Sequence, residues 1–290
     1  MDTSNQAARE WLYEITPKNN LFSLRLAEIW HYRDLLFLFV KRNIVTVYKQ
    51  TILGPLWFIL KPVITSIVQY FVFGRLAGIP SDGLPYFLFA LAGNTMWFYF
   101  SNCFSAASNV FRTNQGLFGK VYFPRVIMPL SVTFSNLVTF GIQLLFFIGN
   151  ILYFMRLGSD VKPNVYMLLL PILMLIMALI SLGFGMIISA MTSKYRDLSF
   201  LVSFGVQLYM YVTPVVYPAS LILEKLPDNL DYLVYLNPLT GVMEAFKYAF
   251  LGQGSFSIPG LGYSLLFGIV VFLLGLTVFN YTERKFIDTV

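Results

Sequence analysis

The clearest membrane-spanning segment of the chain reads Val165-Tyr-Met-Leu-Leu-Leu-Pro-Ile-Leu-Met-Leu-Ile-Met-Ala-Leu-Ile-Ser-Leu-Gly-Phe-Gly-Met-Ile-Ile-Ser-Ala-Met191, 27 residues without a charged side chain. An α-helix of about 20 apolar residues crosses a hydrocarbon core of roughly 30 Å. The composition agrees, because 57% of the 290 residues are hydrophobic and 12% are charged, whereas about 25% are charged in soluble domains. The sequence therefore predicts an integral membrane protein.

Five other segments match this length and hydropathy. The predicted fold class is all-α, an integral membrane protein with six transmembrane helices over residues 53–76, 85–110, 126–155, 165–191, 198–217 and 259–281. Residues 232–251 are apolar in parts, but they contain Pro238, Glu244 and Lys247, which suit a lipid-facing helix poorly. We predict interfacial or re-entrant helices there, within residues 218–258 between the fifth and sixth spans.

The segment before the first span is predicted to be an amphipathic interfacial helix. At about 100° per residue, residues 25–50 place most apolar side chains on one face, although Leu35, Leu38 and Phe39 intrude on the polar face. The apolar face comprises Leu26, Ile29, Trp30, Leu36, Phe37, Val40, Ile44, Val47 and Tyr48. Such a helix lies along the inner leaflet; the alternative is a soluble helix that packs on a partner. Residues 1–20 lack signal-peptide features, so residues 1–52 are predicted to be a retained cytoplasmic amino terminus.

The basic residues predict the orientation. If both termini are cytoplasmic, the cytoplasmic segments hold 14 of the 20 Lys and Arg residues, the opposite side holds five, and Lys61 lies in the first span. Positive charge is normally concentrated on the inner side. We therefore predict a transmembrane domain over residues 53–281 and a cytoplasmic tail over residues 282–290. The basic excess is spread over loops, which argues against a nucleic-acid partner.

Composition argues against several kinds of catalytic or metal site. One cysteine, Cys103, and one histidine, His31, exclude an internal disulfide, a cysteine-based zinc cluster and a His-rich metal site. The nearest approach to a phosphate-binding P-loop, Gly116-Leu-Phe-Gly-Lys-Val121, has the wrong spacing and lacks the Ser or Thr that holds magnesium. The acids are scattered, which disfavours the alternative of a membrane-embedded transferase. We expect no metal, no cofactor and no enzymatic activity in this chain.

Two segments beside the spans carry more specific signals. Residues 48–62, Tyr-Lys-Gln-Thr-Ile-Leu-Gly-Pro-Leu-Trp-Phe-Ile-Leu-Lys-Pro, lead from the basic helix into the first span, and Pro55 suits the first turn of a helix. The loop over residues 114–129 is basic, lacks acids and contains large apolar side chains that we predict to be exposed, a pattern typical of a docking element. These side chains are Leu117, Phe118, Tyr122 and Phe123.

Together these segments resemble those of the membrane subunits of ABC-2-type polysaccharide exporters, which move lipid-linked O-antigen, capsule and teichoic acid chains. The resemblance covers nearly the whole chain and rests on Leu53-Gly54-Pro55-Leu56-Trp57, Lys120-Val-Tyr-Phe-Pro-Arg125, Arg196-Asp197-Leu198, Thr213-Pro214-Val215-Val216-Tyr217-Pro218 and Asn237-Pro238. It implies a permease of the bacterial inner membrane that acts as a homodimer with two copies of an ABC ATPase, and the ATPase binds the ATP and Mg²⁺. The implied substrate is a polyprenyl-diphosphate-linked glycan; an ABC-2 exporter of a small lipid or drug is the alternative.

The resemblance also implies an outer gate region over residues 218–258 and the places where the ATPase binds. In the family, the loop after the second span forms a coupling helix, which here corresponds to about residues 112–122, and the amino-terminal interfacial helix is the second expected contact. The implied coupling residues are Arg112, Gln115, Leu117, Phe118, Lys120 and Tyr122. The alternative is that the basic residues only anchor the loop to anionic lipid.

Basic residues near the cytoplasmic entrance are candidates to attract the anionic diphosphate of such a substrate. They are Lys41, Arg42, Lys49 and Lys61. Lys61 lies about 12 Å along the helix from Leu53, so its ammonium can also reach the interface and act as an anchor.

Aromatic side chains make up 18% of the chain, and many lie inside predicted spans. Their apolar faces stack on sugar rings, and a Tyr hydroxyl can bond a sugar hydroxyl. The predicted channel-lining aromatics are Trp57, Tyr70, Trp97, Tyr99, Phe204 and Tyr209. The alternative is that they pack inside the protein or face lipid and the interfaces.

Other residues within the spans are predicted to serve packing. Polar side chains need partners in hydrocarbon and should face the interior or the path, and small residues allow helices to approach closely. The polar set is Gln69, Asn94, Asn136, Gln143 and Gln207, and the small set is Ser181, Gly183, Gly185 and Ser189.

Overall fold

The computed structural model describes residues 26–49, 52–118, 123–195, 197–224, 227 and 232–287. Within these ranges the regular structure is helical and contains no strand, which confirms the predicted all-α class. The α-helices are α1 (Leu26–His31), α2 (Arg33–Tyr48), α3 (Trp57–Gln69), α4 (Tyr86–Ser108), α5 (Val110–Thr113), α6 (Gln115–Phe118), α7 (Ile127–Arg156), α8 (Leu170–Lys194), α9 (Leu198–Val212), α10 (Ala219–Leu223), α11 (Tyr232–Leu236), α12 (Thr240–Leu251) and α13 (Ile258–Ile287).

Three shorter helical turns complete these elements. A 3-10 turn over Gly54–Leu56 leads into α3, with Pro55 in its first turn, as the missing N–H of proline favours. A π-helical stretch over Tyr70–Leu76 extends α3. A second 3-10 turn over Val165–Leu169 leads into α8, and the Asn164 side chain caps it by accepting a bond from the Tyr166 amide.

Four helical stretches in the described part of the chain are long and apolar enough to cross a membrane: Gly54–Leu76, Ile127–Arg156, Val165–Lys194 and Ile258–Glu283. They coincide with the first, third, fourth and sixth predicted spans. The second and fifth predicted spans correspond to α4 and α9. The 23-residue α4 is long enough but carries polar residues such as Asn94 and Asn102, while the 15 residues of α9 span only about 22 Å.

The long helix α8 packs against α13 and α4, and glycines allow the close approach. A Cβ atom at Gly183 would lie 2.6 Å from the carbonyl carbon of Val271 on α13. One at Gly185 would lie 2.5 Å from the Cβ of Ala107 on α4. The helices are therefore in backbone contact at these points, which confirms the predicted packing role of the two glycines.

Polar side chains link the first two predicted spans. The Asn94 amide donates to Ser66 Oγ at 2.7 Å and to Gln69 Oε1 at 2.8 Å. On α7, Gln143 Nε2 donates to the Phe58 carbonyl at 2.9 Å. Buried polar groups need such partners, especially in hydrocarbon, and the interior placement predicted for Asn94, Gln69 and Gln143 is confirmed.

Gln207 is exposed on α9 in the single chain, so it does not face the bundle interior, and its position at the path stays a prediction. The main contacts of α9 are with α4 and α8, and much of its surface is left uncovered. Asn136 on α7 is half-buried and lines a polar cleft described below. Hydropathy locates a span, but it does not show which side of the span faces its neighbours.

The amino-terminal helix is present, and a residue assigned to its polar face packs on the bundle. Phe39, assigned to the polar side, is buried, with its ring centroid 5.7 Å from that of Phe123. Trp30 and Phe37, on the apolar face predicted to lie along the inner leaflet, are 70% and 67% exposed. Because α2 packs along α7, one apolar side covers the bundle while a second one remains uncovered.

Candidate functional site

The predicted coupling segment forms the short helices α5 and α6, directly after α4. Arg112 and Gln115 are exposed, and Arg112 donates to Ser199 Oγ at 3.0 Å, near the start of α9. Leu117 is half-buried. The remaining two predicted coupling residues, Lys120 and Tyr122, lie outside the described residues.

The expectation that Phe118 and Phe123 are exposed is wrong, because both side chains are buried. Their ring centroids lie 5.9 Å apart, Phe118 also packs against Phe111 at 6.0 Å, and the Arg125 guanidinium lies 4.9 Å over the Phe118 ring. Removing large aromatic surfaces from water is favourable, so the side chains of Phe118 and Phe123 pack into the protein. The surface that remains exposed on α5 and α6 is mainly polar.

The four predicted entrance residues occupy different environments. Arg42 lines the polar cleft between α2, α4 and α7, and its guanidinium lies 4.8 Å over the Phe39 ring. Lys41 and Lys49 are exposed at α2. The Lys61 side chain is exposed on α3, with its ammonium 4.7 Å from the centroid of the Phe98 ring.

Two of the predicted channel-lining aromatics belong to the core of the chain. Trp97 and Tyr99 are 3% and 2% exposed. Trp97 packs against Tyr209 at 6.0 Å, and Tyr99 packs against Phe140 at 5.7 Å. Because α4 is enclosed by α3, α7, α8 and α12, these two side chains do not line a path at the surface of this structure, and that part of the prediction is corrected.

The other four predicted aromatics retain accessible faces. Trp57, Tyr70 and Phe204 are 47%, 38% and 60% exposed. Tyr209 is half-buried, and its hydroxyl donates to Asn237 Oδ1 at 2.7 Å. These side chains lie on the α3 stretch and on α9, so a surface that contains both helices is where they can meet a ligand or another subunit.

A buried ion pair lies on α12, where the sequence suggested only an interrupted apolar stretch. Lys247 Nζ lies 3.2 Å from Glu244 Oε1, and both side chains are 1% exposed. The ammonium also donates to the Pro214 carbonyl at 2.5 Å, and Glu244 Oε2 accepts from the Ser255 amide at 3.2 Å. Burial lowers the pKa of the Lys247 ammonium, while the Glu244 carboxylate opposes that shift. Glu244 and Lys247 are three residues apart, and in a helix this spacing brings two side chains close together. It was the one feature of the sequence that could have predicted the pair.

Lys247 is hydrogen-bonded to the segment between α9 and α10, residues 213–218. Helix α4 also contacts this segment. The Tyr86 hydroxyl donates to the Val216 carbonyl, and a Cβ atom at Gly93 would lie 2.5 Å from the Val215 carbonyl oxygen. We call Glu244, Lys247 and residues 213–218 the α12 clasp. The clasp connects α4, α9 and α12 through side chain to backbone hydrogen bonds.

The described part of the chain offers several surfaces that could bind a ligand or a partner. No group of three or more His, Cys, Asp or Glu side chains there is arranged to hold a metal ion. Glu244 and Lys247 are enclosed and bonded to each other, so neither is placed to act on a substrate. The exposed α5–α6 segment, the polar cleft and the α3 and α9 faces are the candidate functional surfaces.

The chain is similar in sequence to a known family and to several named proteins. The ABC-2 type transporter family model matches residues 34–251. The chain is 24% identical over 255 residues to the O-antigen export system permease protein RfbA of Klebsiella pneumoniae, covering 88% of this chain and 94% of that protein. It is 28% identical over 223 residues to the protein of the same name from Myxococcus xanthus, covering 77% and 82%. It is 24% identical over 248 residues to the capsule polysaccharide export inner-membrane protein CtrC of Neisseria meningitidis, covering 82% and 86%.

Proposed function

The chain belongs to the ABC-2 type transporter family, and from this membership we propose that it is the permease subunit of an exporter of O-antigen or a related cell-surface polysaccharide. The observation that carries the proposal is sequence similarity over at least 82% of the length of two proteins named as O-antigen export system permeases and one named as a capsule polysaccharide export inner-membrane protein. The proposed substrate is a polyprenyl-diphosphate-linked glycan, which crosses the membrane without chemical change.

The proposed topology has six spans in a bacterial inner membrane, with both termini in the cytoplasm. In it, α4 and α9 are the second and fifth spans, and α11 and α12 belong to the outer gate region. The basic residues support this orientation, since 14 fall on one side and five on the other. The burial of α4 among other helices supports its assignment as the second span, because its polar side chains are then kept away from lipid.

The energy for export is proposed to come from two copies of an ABC ATPase bound to a homodimer of this chain. The α5–α6 segment serves as the main contact with the ATPase, which binds the ATP and Mg²⁺, and the α1–α2 helix serves as the second. Two observations support the assignment of α5–α6 as the ATPase contact. Helix α5 follows α4 directly in the chain, and it packs against α8. A force on this segment therefore acts on two central helices.

Replacing Arg112 and Gln115 together by glutamate is expected to reduce copurification of the ATPase at least tenfold. Both side chains are exposed, so the change adds negative charge to the proposed contact without disturbing the buried Phe118 cluster. The measurement is the yield of ATPase on affinity-tagged permease from membranes. Arg156→Glu, at an exposed position at the other end of α7, is the matched control and should copurify normally. Full ATPase recovery with the double variant would contradict the coupling assignment.

The substrate is proposed to approach from the cytoplasmic leaflet and to pass between two copies of the chain. Arg42, Lys41, Lys49 and Lys61 attract its diphosphate, and the accessible aromatics Trp57, Tyr70, Phe204 and Tyr209 contact the passing sugars. The exposed placement of the four basic residues and the uncovered faces of α3 and α9 support this route. Aromatic faces stack on the C–H faces of sugars without holding them tightly, which suits the passage of a polymer.

Deletion of the gene in its host is expected to remove the surface polysaccharide and to leave lipid-linked chains at the cytoplasmic side. Gel electrophoresis of surface glycan and extraction of lipid-linked intermediates measure the two effects, and the wild-type gene should restore export. Unchanged surface glycan after deletion would overturn the proposal. Loss of export of a small lipid or drug, with normal glycan, would identify the alternative ABC-2 function.

A further inference from the structure

A polar cleft of about 870 Å³ opens between α2, α4, α5 and α7, beside Phe58 at the start of α3. Eleven of its 16 lining residues are polar, and five of these are asparagines. Among the same 16 residues, Arg42 is the one charged side chain, and none is acidic. A pocket of this size is within the range of small-ligand sites.

The cleft reaches inward along α4 and α7 from the ends of these helices. Asn102 lies six residues before the end of α4, about 9 Å along the axis. Thr139 lies 12 residues after the start of α7, about 18 Å along the axis. Polar groups at such depth are costly when they face hydrocarbon. The cleft therefore has to be filled by water or by the polar part of a ligand.

The bonding of its asparagines indicates what kind of ligand fits. Asn136 Nδ2 donates to the Val132 carbonyl at 3.1 Å, and Asn109 Nδ2 donates to the Ser105 carbonyl at 2.8 Å. These bonds occupy amide donors within the protein, while each side-chain amide also carries an acceptor oxygen with two lone pairs. The lining combines apolar surface with amide and hydroxyl groups and contains no carboxylate, which favours a neutral ligand that has both C–H faces and O–H groups, as a sugar has.

We propose that this cleft binds the sugar nearest the diphosphate of a lipid-linked glycan, with the diphosphate at Arg42. The inference rests on the proposed function, whose substrate is such a glycan. The sugar hydroxyls bond the polar side chains of α4 and α7, and Phe58 offers an apolar face to the ring. The Arg42 guanidinium forms charge-assisted bonds with phosphate oxygens, while the polyprenyl chain stays in the lipid.

The test compares two probes on the full chain in lipid nanodiscs: a polyprenyl-diphosphate-linked monosaccharide and polyprenyl diphosphate without sugar. Asn136→Leu is expected to weaken binding of the sugar-bearing probe about tenfold, as loss of one buried hydrogen-bonding group does, and to leave the other probe unaffected. Asn150→Leu is the matched control. Asn150 is also half-buried on α7 and donates to the Phe146 carbonyl at 2.9 Å, but it does not line the cleft.

A second pair of variants tests the position of the diphosphate. Arg42→Gln is expected to weaken both probes by at least tenfold, since the guanidinium meets a group that both share. Arg33→Gln changes another exposed cation of α2, which lies outside the cleft, and should weaken each probe less than threefold. Equal losses from the two substitutions would remove Arg42 from the proposed site.

The possible results distinguish a failure of the cleft proposal from a failure of the proposed export function. Equal binding of the sugar-bearing probe by Asn136→Leu and Asn150→Leu, or equal wild-type affinity for both probes, overturns the cleft proposal. The wild-type gene still restores surface polysaccharide in the deletion strain if the proposed function is right, and its failure to do so overturns the function itself. Asn102→Leu, on the opposite wall of the cleft, gives an independent result if the Asn136 variant does not accumulate.

Discussion

The Lys247→Met variant is expected to be less stable than the wild-type chain by about 3–5 kcal/mol, the usual cost of removing one partner from a buried ion pair. Methionine keeps the length and the apolar body of the side chain, so the change mainly removes the ammonium. The Glu244 carboxylate, 1% exposed, then loses its cation, and the Pro214 carbonyl loses a donor at 2.5 Å. The thermal unfolding temperature of the purified protein in detergent measures the effect.

Two further variants show whether this loss comes from the ion pair. Glu244→Leu combined with Lys247→Met removes both charges and should recover part of the lost stability, because no unpaired charge is left buried. Lys162→Met breaks the exposed pair with Asp160, whose 3.7 Å contact joins side chains 79% and 83% exposed, and should cost less than about 1 kcal/mol. If Lys247→Met is no more harmful than Lys162→Met, the α12 clasp does not stabilise the fold.

The α12 clasp also couples the movement of α12 to that of α4 and α9. Residues 213–218 are bonded to Lys247 on α12 and to Tyr86 on α4, so the end of α9 is tied to both helices. Asn237, between α11 and α12, adds a bond to Thr213 Oγ1 at 3.1 Å. A change at the proposed outer gate that displaces α12 must therefore either carry α4 and α9 with it or break these bonds.

The positions of most long helices could be predicted from sequence because a membrane requires apolar runs of a defined length. The predicted span over residues 126–155 corresponds to Ile127–Arg156, and that over 165–191 corresponds to Val165–Lys194. The orientation of single side chains was harder to predict. Phe39 was assigned to the polar face of its helix and Phe118 to an exposed loop, and both are buried, because local sequence does not show which side chains the neighbouring helices cover.

The candidate sites depend on contacts that no local pattern encodes. The polar cleft brings together Arg42, Asn102 and Asn136, which lie on three helices, and two of these helices, α2 and α7, pack against each other. The ion pair of Glu244 and Lys247 was visible as two charges at helical spacing. The effect of this pair on stability depends on its burial against residues 213–218. That burial follows from the packing of α4, α9 and α12 and cannot be predicted from spacing alone.

Replacing Gly183 by alanine is expected to destabilise the contact between α8 and α13 by about 1–3 kcal/mol, the range for overfilling a packed interior. A Cβ atom there would lie 2.6 Å from the Val271 carbonyl carbon and 2.7 Å from the Phe272 amide nitrogen. Both are backbone atoms, which cannot rotate aside as a flexible side chain does, so the two helices have to separate. Separation also disturbs Gly275 of α13, which faces the Gly183 backbone.

The sign of this effect distinguishes a close contact from a simple change in helix propensity. Alanine is favoured over glycine inside a helix by about 1 kcal/mol, so a glycine without close neighbours should tolerate the change or gain from it. Gly149 on α7 is such a position, because a Cβ atom there would meet no atom within 4 Å. Thermal unfolding of the two variants, followed by size-exclusion chromatography, should show Gly183→Ala below the wild type and Gly149→Ala at or above it. Equal stability of the two variants would mean that α8 and α13 are not in backbone contact in the membrane.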